Sequence, residues 1–174
     1  WLGDQIEQTL GDGHARGLTL RYSREADPLE TAGGIRQALP LLTYLGQDWL
    51  LVINGDIWCD LDLSRLVPPT NGDLAKLVLV ANPPHHPDGD FHLDPAGRVH
   101  ARGAPALTFA GISLLHRSLF EDLPAGHRKL APLLVGAMDA DRVSGIRHHG
   151  AWFDIGTPER LADLDHYLST PGGT

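Results

Sequence analysis

Two hydrophobic rhythms alternate along this chain: short continuous or alternating apolar runs, as strands require, and longer stretches where apolar residues return every third or fourth position, as on one face of a helix. Leu2, Ile6 and Leu10 are spaced for an opening helix that stops at Gly11-Asp12-Gly13. Leu18 to Tyr22 alternates and predicts a strand; Thr31 to Leu42 predicts a helix with Ile35, Ala38 and Leu39 as its stripe. Trp49 to Ile53 is apolar throughout, the pattern of a strand covered on both faces, and it ends at Asn54-Gly55-Asp56. A short helix at Leu63 to Val67 precedes a strand at Ala75 to Ala81. Between Asn82 and Pro105 the texture turns to Pro, Gly and His, and Phe91–Leu93 with Arg98–His100 around Asp94–Gly97 predict a hairpin. A strand at Thr108 to Leu115, a short helix at Leu119 to Leu123 and a longer one at Lys129 to Ala140 follow, with Pro132 in the tolerated first turn. Val143 to His149 predicts a strand, and the run His148 to Phe153 leads to Asp154. In the last helix Thr157 is the N-cap, Pro158 the first helical residue, Glu159 complements the positive end, and Leu161, Leu164 and Leu168 form the buried stripe.

This alternation predicts an α/β fold: a Rossmann-like mixed, mostly parallel sheet with helices on both faces. Residues 1–168 are expected to form a single domain, 82–107 an insertion carrying a substrate pocket, and 169–174 a loose tail. The chain of 174 residues carries a formal charge of −8, which argues against a nucleic-acid partner because phosphate neutralisation needs a basic face. No apolar run approaches the roughly 20 residues of a membrane span. Cys59 is the single cysteine, which excludes an internal disulfide and a cysteine-rich zinc site and fits a reducing compartment, the cytoplasm by default. The chain opens with Trp1 in place of Met, so a preceding piece is expected, and it shows neither a signal nor a transit sequence, so secretion has no support. Nothing in the sequence specifies an oligomeric state.

Sheets of this kind place ligands at the carboxyl ends of their strands, so residues just after strands are the first candidates for chemistry. Asp56 and Asp154 meet that test. Paired carboxylates suit magnesium, which takes one or two protein oxygens and completes its octahedron with water and substrate phosphate. Each has a plainer reading, Asp56 as a turn residue and Asp154 as a loop acid near a helix start. Leu29-Glu-Thr-Ala-Gly-Gly-Ile35 is a second candidate: its glycines leave backbone N–H groups uncovered for a flat base or an anion. The alternative there is a helix start capped by Thr31. Gly11, Gly13 and Gly17 lie between a helix and a strand, the reverse of a dinucleotide fingerprint, and read as a helix end and turn. The pairs His85-His86 and His148-His149 lack metal-ligand spacing and are expected to be surface or hydrogen-bonded histidines. Neither a nucleophile elbow nor a Walker A sequence occurs.

Four blocks together carry a resemblance: Leu29 to Ile35, Leu51-Val-Ile-Asn-Gly-Asp-Ile-Trp58, Thr108-Phe-Ala-Gly-Ile112 and Gly150-Ala-Trp-Phe-Asp-Ile-Gly-Thr-Pro-Glu-Arg160. Their order and spacing resemble those of the sugar-1-phosphate nucleotidyltransferases. Asn82 to Pro87, Gly89-Asp-Phe91 and Lys129 to Leu134 look like the branch that transfers a uridylyl group from UTP to N-acetylmuramate 1-phosphate in cell-wall recycling, giving UDP-sugar and pyrophosphate. The resemblance implies Mg2+ on Asp56 and Asp154, which would be the catalytic pair. It implies a nucleoside held by Glu30, Thr31, Ala32, Gly33, Gly34 and Asn54, with Glu25 accepting the imide N–H of uracil. Gly89 and Asp90 would face the sugar, and Lys129 would meet the lactyl carboxylate of muramic acid. Family members open with a glycine-rich loop of the type Leu-Ala-Ala-Gly-x-Gly-x-Arg and a later Pro-Lys. This chain starts after that region, which implies a missing N-terminal strand-helix unit of upward of about 30 residues and impaired activity for the chain alone. The rivals are a non-catalytic nucleotide-sugar-binding module and a mannose-1-phosphate guanylyltransferase or glucose-1-phosphate thymidylyltransferase.

Overall fold

The computed structural model describes residues 2–42 and 46–170. They form two compact units, one of residues up to Asp48 with Phe120–Leu130, the other of Trp49–Leu119 with Ala131 onward. In the first unit, α1 (Gly3–Leu10) is closed by Gly11 N–H, which donates to Glu7 O at 2.8 Å, and the positive φ of Gly11 (58°) turns the chain out of the helix. None of its residues is buried, and Arg24 ties it down through Asp4 (2.6 Å) and Glu7. Leu18 to Tyr22 does not form the expected strand. Alternation supplies the face but not the partner, and no described strand pairs with it; Leu20 N–H bonds Asp12 O at 2.8 Å and Tyr22 OH bonds Gly11 O at 2.5 Å. α2 (Glu30–Leu42) starts one residue early, so Thr31 lies within the helix rather than capping it. Its buried residues are Ala32, Gly33 and Leu39, while Ile35 and Ala38 of the expected stripe stay partly exposed.

The second unit is built on β1 (Trp49–Ile53), β3 (Ala75–Val80), β4 (Phe91–Leu93), β5 (Val99–His100), β6 (Ala106–His116) and β7 (Val143–Arg147). The sheet order is β5-β4-β6-β3-β7, with β1 also paired to β6. The α/β class and the mixed sheet hold. The parallel pair is β3–β7, while β6 lies antiparallel to β1, β3 and β4, which gives antiparallel pairing a larger share than simple strand-helix alternation implies. The predicted hairpin forms and joins this sheet, because β4 pairs with both β5 and β6. β1 departs from its expected environment: Leu51 and Ile53 are each 46% exposed, and β6 is its one described strand neighbour. The run from His148 is broken too, since β7 stops at Arg147 and β8 begins at Trp152.

A separate two-stranded ribbon joins β2 (Ile57–Cys59) to β8 (Trp152–Asp154), pairing Ile57 with Asp154 and Cys59 with Trp152. Ile57, Cys59 and Trp152 pack against a core of Leu66, Val78, Val80, Ala110, Ile112 and Leu114, so apolar burial fixes the ribbon on the sheet. The Trp152 indole N–H donates to Ala110 O at 3.0 Å, which satisfies the one polar atom that this burial encloses on the ring. α3 is Ser118–Glu121; α4 (Ala131–Asp139) begins two residues later than expected, leaving Lys129 ahead of it. α5 (Pro158–Ser169) is capped by Thr157 Oγ1, which accepts Arg160 N–H at 3.3 Å. Only Leu164 of its expected stripe is buried, with Leu161 45% and Leu168 42% exposed. The helix includes Ser169, the first residue of the expected tail, and 171–174 lie outside the described residues. Among the described residues no helix is long and apolar enough to cross a membrane.

Candidate active site

The ribbon carries the two predicted acids to one end. Asp56 directly precedes β2, Asp154 closes β8, and Ile155 N–H donates to Asp56 O at 2.8 Å, locking the two chain segments side by side. A methyl group built on Gly156 would stand 3.2 Å from both Arg160 Nη2 and Asp154 Oδ1 and 3.6 Å from Asp56 Oδ2, so both carboxylates and the Arg160 guanidinium border the same small space beside that glycine. Asp154 Oδ1 also accepts Gly156 N–H at 3.0 Å. Two converging carboxylates fit the donor set of a hard divalent cation that draws its remaining ligands from water and phosphate. Among the described residues no group of three or more His, Cys, Asp or Glu assembles as a protein-only metal cage.

Two further side chains complete this end. Arg160 Nη1 lies 2.9 Å from Asp154 Oδ2 and 2.9 Å from His85 Nε2, and His85 Nε2 is 3.4 Å from the same carboxylate oxygen. The sequence reading missed both residues. Arg160 had a local signal: it is the third residue after the Thr157 cap, and side chains in a first helical turn lean back toward the segment that precedes the helix. His85 had none, because its contact with Arg160 spans 75 residues. A cleft of about 420 Å³, lined by Val80, Ala81, Pro83, His148, Gly150 and Trp152, opens between the strand leading to His85 and the ribbon leading to Asp154.

At the ribbon's other end, His148 Nε2 meets Asp60 Oδ1 at 2.7 Å, and a Cβ on Gly150 would stand 2.2 Å from that oxygen. The Ala151 backbone N–H, and after it His148, hold the Asp60 carboxyl below the usual carboxylate range. His86 meets Asp90 at 3.1 Å and His149 is exposed, so with His85 and His148 bonded the paired histidines are surface or hydrogen-bonded as expected.

Asn54 lies against Gly111, where a Cβ would meet Asn54 Nδ2 at 2.9 Å; the left-handed Gly111 (φ 73°) permits that approach. Gly89 (φ 66°) is closed in by Asn82 and Leu107. Asp90 uses Oδ2 to accept Phe109 N–H at 2.8 Å, so its carboxylate fastens the hairpin to β6. In the other unit, Glu25 Oε2 accepts Leu29 N–H at 2.9 Å and Glu30 pairs with His127 at 3.3 Å. The N–H groups of Ala32 and Gly33 are not uncovered: both donate to Arg128 O, at 3.0 and 3.1 Å. A helix start must satisfy its orphan donors, and a crossing carbonyl does so here. Gly33 admits that segment because a Cβ would stand 2.3 Å from Gly126 O; Gly34 faces Glu25 Oε1, and Lys129 is exposed.

No protein-family model matches the chain. It is 47% identical over 171 residues to an N-acetylmuramate alpha-1-phosphate uridylyltransferase of Neisseria meningitidis serogroup B, covering 94% of this chain and 73% of that protein. The chain belongs to the sugar-1-phosphate nucleotidyltransferases. A second N-acetylmuramate alpha-1-phosphate uridylyltransferase, of Caulobacter vibrioides, is 28% identical over 91% of this chain and 71% of its own length. The fold is shared with a crystal structure of HddC from Yersinia pseudotuberculosis complexed with GMP-PN, at a TM-score of 0.76 and 19% identity, covering 95% of this chain and 74% of that one.

Proposed function

We propose that this nucleotidyltransferase moves a uridylyl group from UTP to N-acetylmuramate 1-phosphate, releasing pyrophosphate and supplying UDP-sugar for cell-wall recycling. The observation that carries the reading is the convergence of Asp56 and Asp154 beside Gly156 in a chain 47% identical to a uridylyltransferase of that substrate class. An oxygen of the sugar phosphate forms a bond to the α-phosphorus while the bond to the pyrophosphate oxygen breaks, in line and without a covalent enzyme intermediate. Asp56 and Asp154 are the residues that would hold Mg2+. When bound, the ion supplies positive charge to the phosphate oxygens. The chain's own residues orient and bind: Glu30, Thr31, Gly34 and Asn54 are assigned to the nucleoside, Glu25 to the uracil imide, Gly89 and Asp90 to the sugar, while Ala32 and Gly33, whose N–H groups are taken by Arg128 O, shape the start of α2. Lys129 is assigned to the lactyl carboxylate, the group that distinguishes muramate from glucosamine.

The test is a panel of UTP, GTP and dTTP against the 1-phosphates of N-acetylmuramate, N-acetylglucosamine, mannose and glucose, read as pyrophosphate release by the natural full-length protein. UTP with N-acetylmuramate 1-phosphate is the expected best pair by kcat/KM. A preference for GTP with mannose 1-phosphate contradicts the assignment, as does UDP-sugar binding without turnover of any pair.

A further inference from the structure

The two oxygens of Asp154 have different partners. Oδ1 accepts Gly156 N–H and borders the space shared with Asp56 Oδ2 and Arg160 Nη2, whereas Oδ2 takes Arg160 Nη1 at 2.9 Å. Arg160 is anchored independently of Asp154: its backbone N–H sits on the Thr157 cap, and its Nη1 is 2.9 Å from His85 Nε2, which accepts when the ring is neutral and carries its proton on Nδ1. Its Nε is buried without a hydrogen-bond partner among the described residues, an uncompensated cost that the rest of the side chain's contacts must offset. A charge-assisted bond of this kind is among the stronger polar contacts in a protein.

We propose that Arg160 is a positioning residue that sets metal selectivity, by holding Oδ2 in a charge-assisted bond so that Asp154 favours binding a divalent ion through Oδ1 alone. The inference rests on the reading that Asp56 and Asp154 hold the metal. Mg2+ takes single oxygens in a tight octahedron at about 2.0–2.1 Å, whereas Ca2+ takes 6–8 oxygens at about 2.3–2.6 Å and readily chelates both oxygens of one carboxylate. Chelation by Asp154 would make Oδ2 share itself between the ion and Arg160, so the clamp penalises Ca2+ more than Mg2+ or Mn2+. Loss of the arginine's positive charge would strengthen both ions together, and loss of local order would weaken both. Only release of Oδ2 changes their ratio.

The experiment measures displacement of Mn2+, followed by its electron paramagnetic resonance signal, with MgCl2 and CaCl2 on the natural full-length protein and its Arg160→Met, Arg160→Lys and His85→Ala variants. The Kd ratio of Ca2+ to Mg2+ is expected to fall by at least about tenfold in Arg160→Met, the scale on which groups that orient metal ligands act. Arg160→Lys, which keeps a cationic donor, restores most of the wild-type ratio. His85→Ala shifts the ratio in the same direction by less and keeps the test open if Arg160→Met fails to fold. An unchanged ratio in Arg160→Met, or in His85→Ala where Arg160→Met does not fold, overturns the proposal. Mn2+ binding that survives Asp154→Asn at full strength instead overturns the metal reading beneath it, so the two failures are distinguishable.

Discussion

Along β6, residues 110–115 are all buried, from Ala110 at 1% to Leu115 at 0% exposure, whereas every residue of the β2–β8 ribbon stays partly exposed. The two regions are adjacent, with Trp152 bonded to Ala110 O, yet the ribbon adds polar contacts to the apolar burial they share. The sheet rests on apolar area removed from water, a term that does not depend on any one contact. Two strands of three residues bury too little to be stable by themselves; Ile57, Cys59 and Trp152 seat the ribbon on the sheet, and the placement of the acids at its ends depends on directional polar contacts: Ile155 to Asp56, Gly156 and Arg160 to Asp154, His148 to Asp60. The lesson is that the scaffold and the site fail differently, one through volume or buried charge and the other through a lost donor or acceptor.

The largest effect separating them is on turnover. Asp56→Asn and Asp154→Asn each keep the residue's size and are expected to lower pyrophosphate release by at least about a hundredfold, the scale of losing a transition-state charge partner. Their thermal unfolding should stay near wild type, because Asp56 is exposed and Asp154 has 29% side-chain exposure. The reverse pattern belongs to the scaffold. Asp73, with a side chain 3% exposed, accepts Arg98 Nη1 with both oxygens at 2.8 and 3.0 Å, and Arg98 also bonds Asp141 at 2.9 Å. Arg98→Met strands that buried carboxylate and is expected to cost about 3–5 kcal/mol in urea unfolding. At temperatures where the variant is folded, kcat should stay within a small factor of wild type.

The smallest effect is in acid. His100, and after it the Arg98 backbone N–H, hold the Asp94 carboxyl below its usual range in the β4–β5 hairpin. A carboxyl whose folded pKa is depressed stabilises the fold fully above the unfolded value of about 3.9, and that support disappears as pH falls through the lower folded value. Hydrogen-exchange protection of the hairpin amides should therefore decline below about pH 4. Asp94→Asn keeps acceptors for the turn N–H groups and should remove the Asp94-dependent part of that decline. An identical acid profile in the variant would place the pH sensitivity elsewhere.

How much the sequence revealed follows the same division. β3 and β6 were legible because continuous apolar runs have one use in an α/β domain, and the Thr157-Pro158 helix start because capping chemistry is local. Leu18 to Tyr22 was misread because alternation reports a face but not a partner, and the exposure of Leu161 and Leu168 because periodicity does not say what the stripe packs on. Asp56 and Asp154 were legible as acids placed after strands. The ribbon that unites them was not, since three-residue strands carry almost no periodic signal and their pairing joins positions nearly a hundred residues apart. The uncovered N–H groups expected at Ala32 and Gly33 failed for a related reason: the glycines mark a close approach, but the visitor is this chain's own Arg128 carbonyl.

The measurement that bears most directly on the central claim is a crystal structure of the natural full-length protein with Mn2+ and a non-hydrolysable UTP analogue, using the manganese anomalous signal to place the ion. The account predicts one anomalous peak beside Gly156, at roughly 2.0–2.3 Å from one oxygen of Asp56 and one of Asp154, in the range of oxygen ligands to such ions. A peak held by other side chains, with these two carboxylates left unligated, would contradict it.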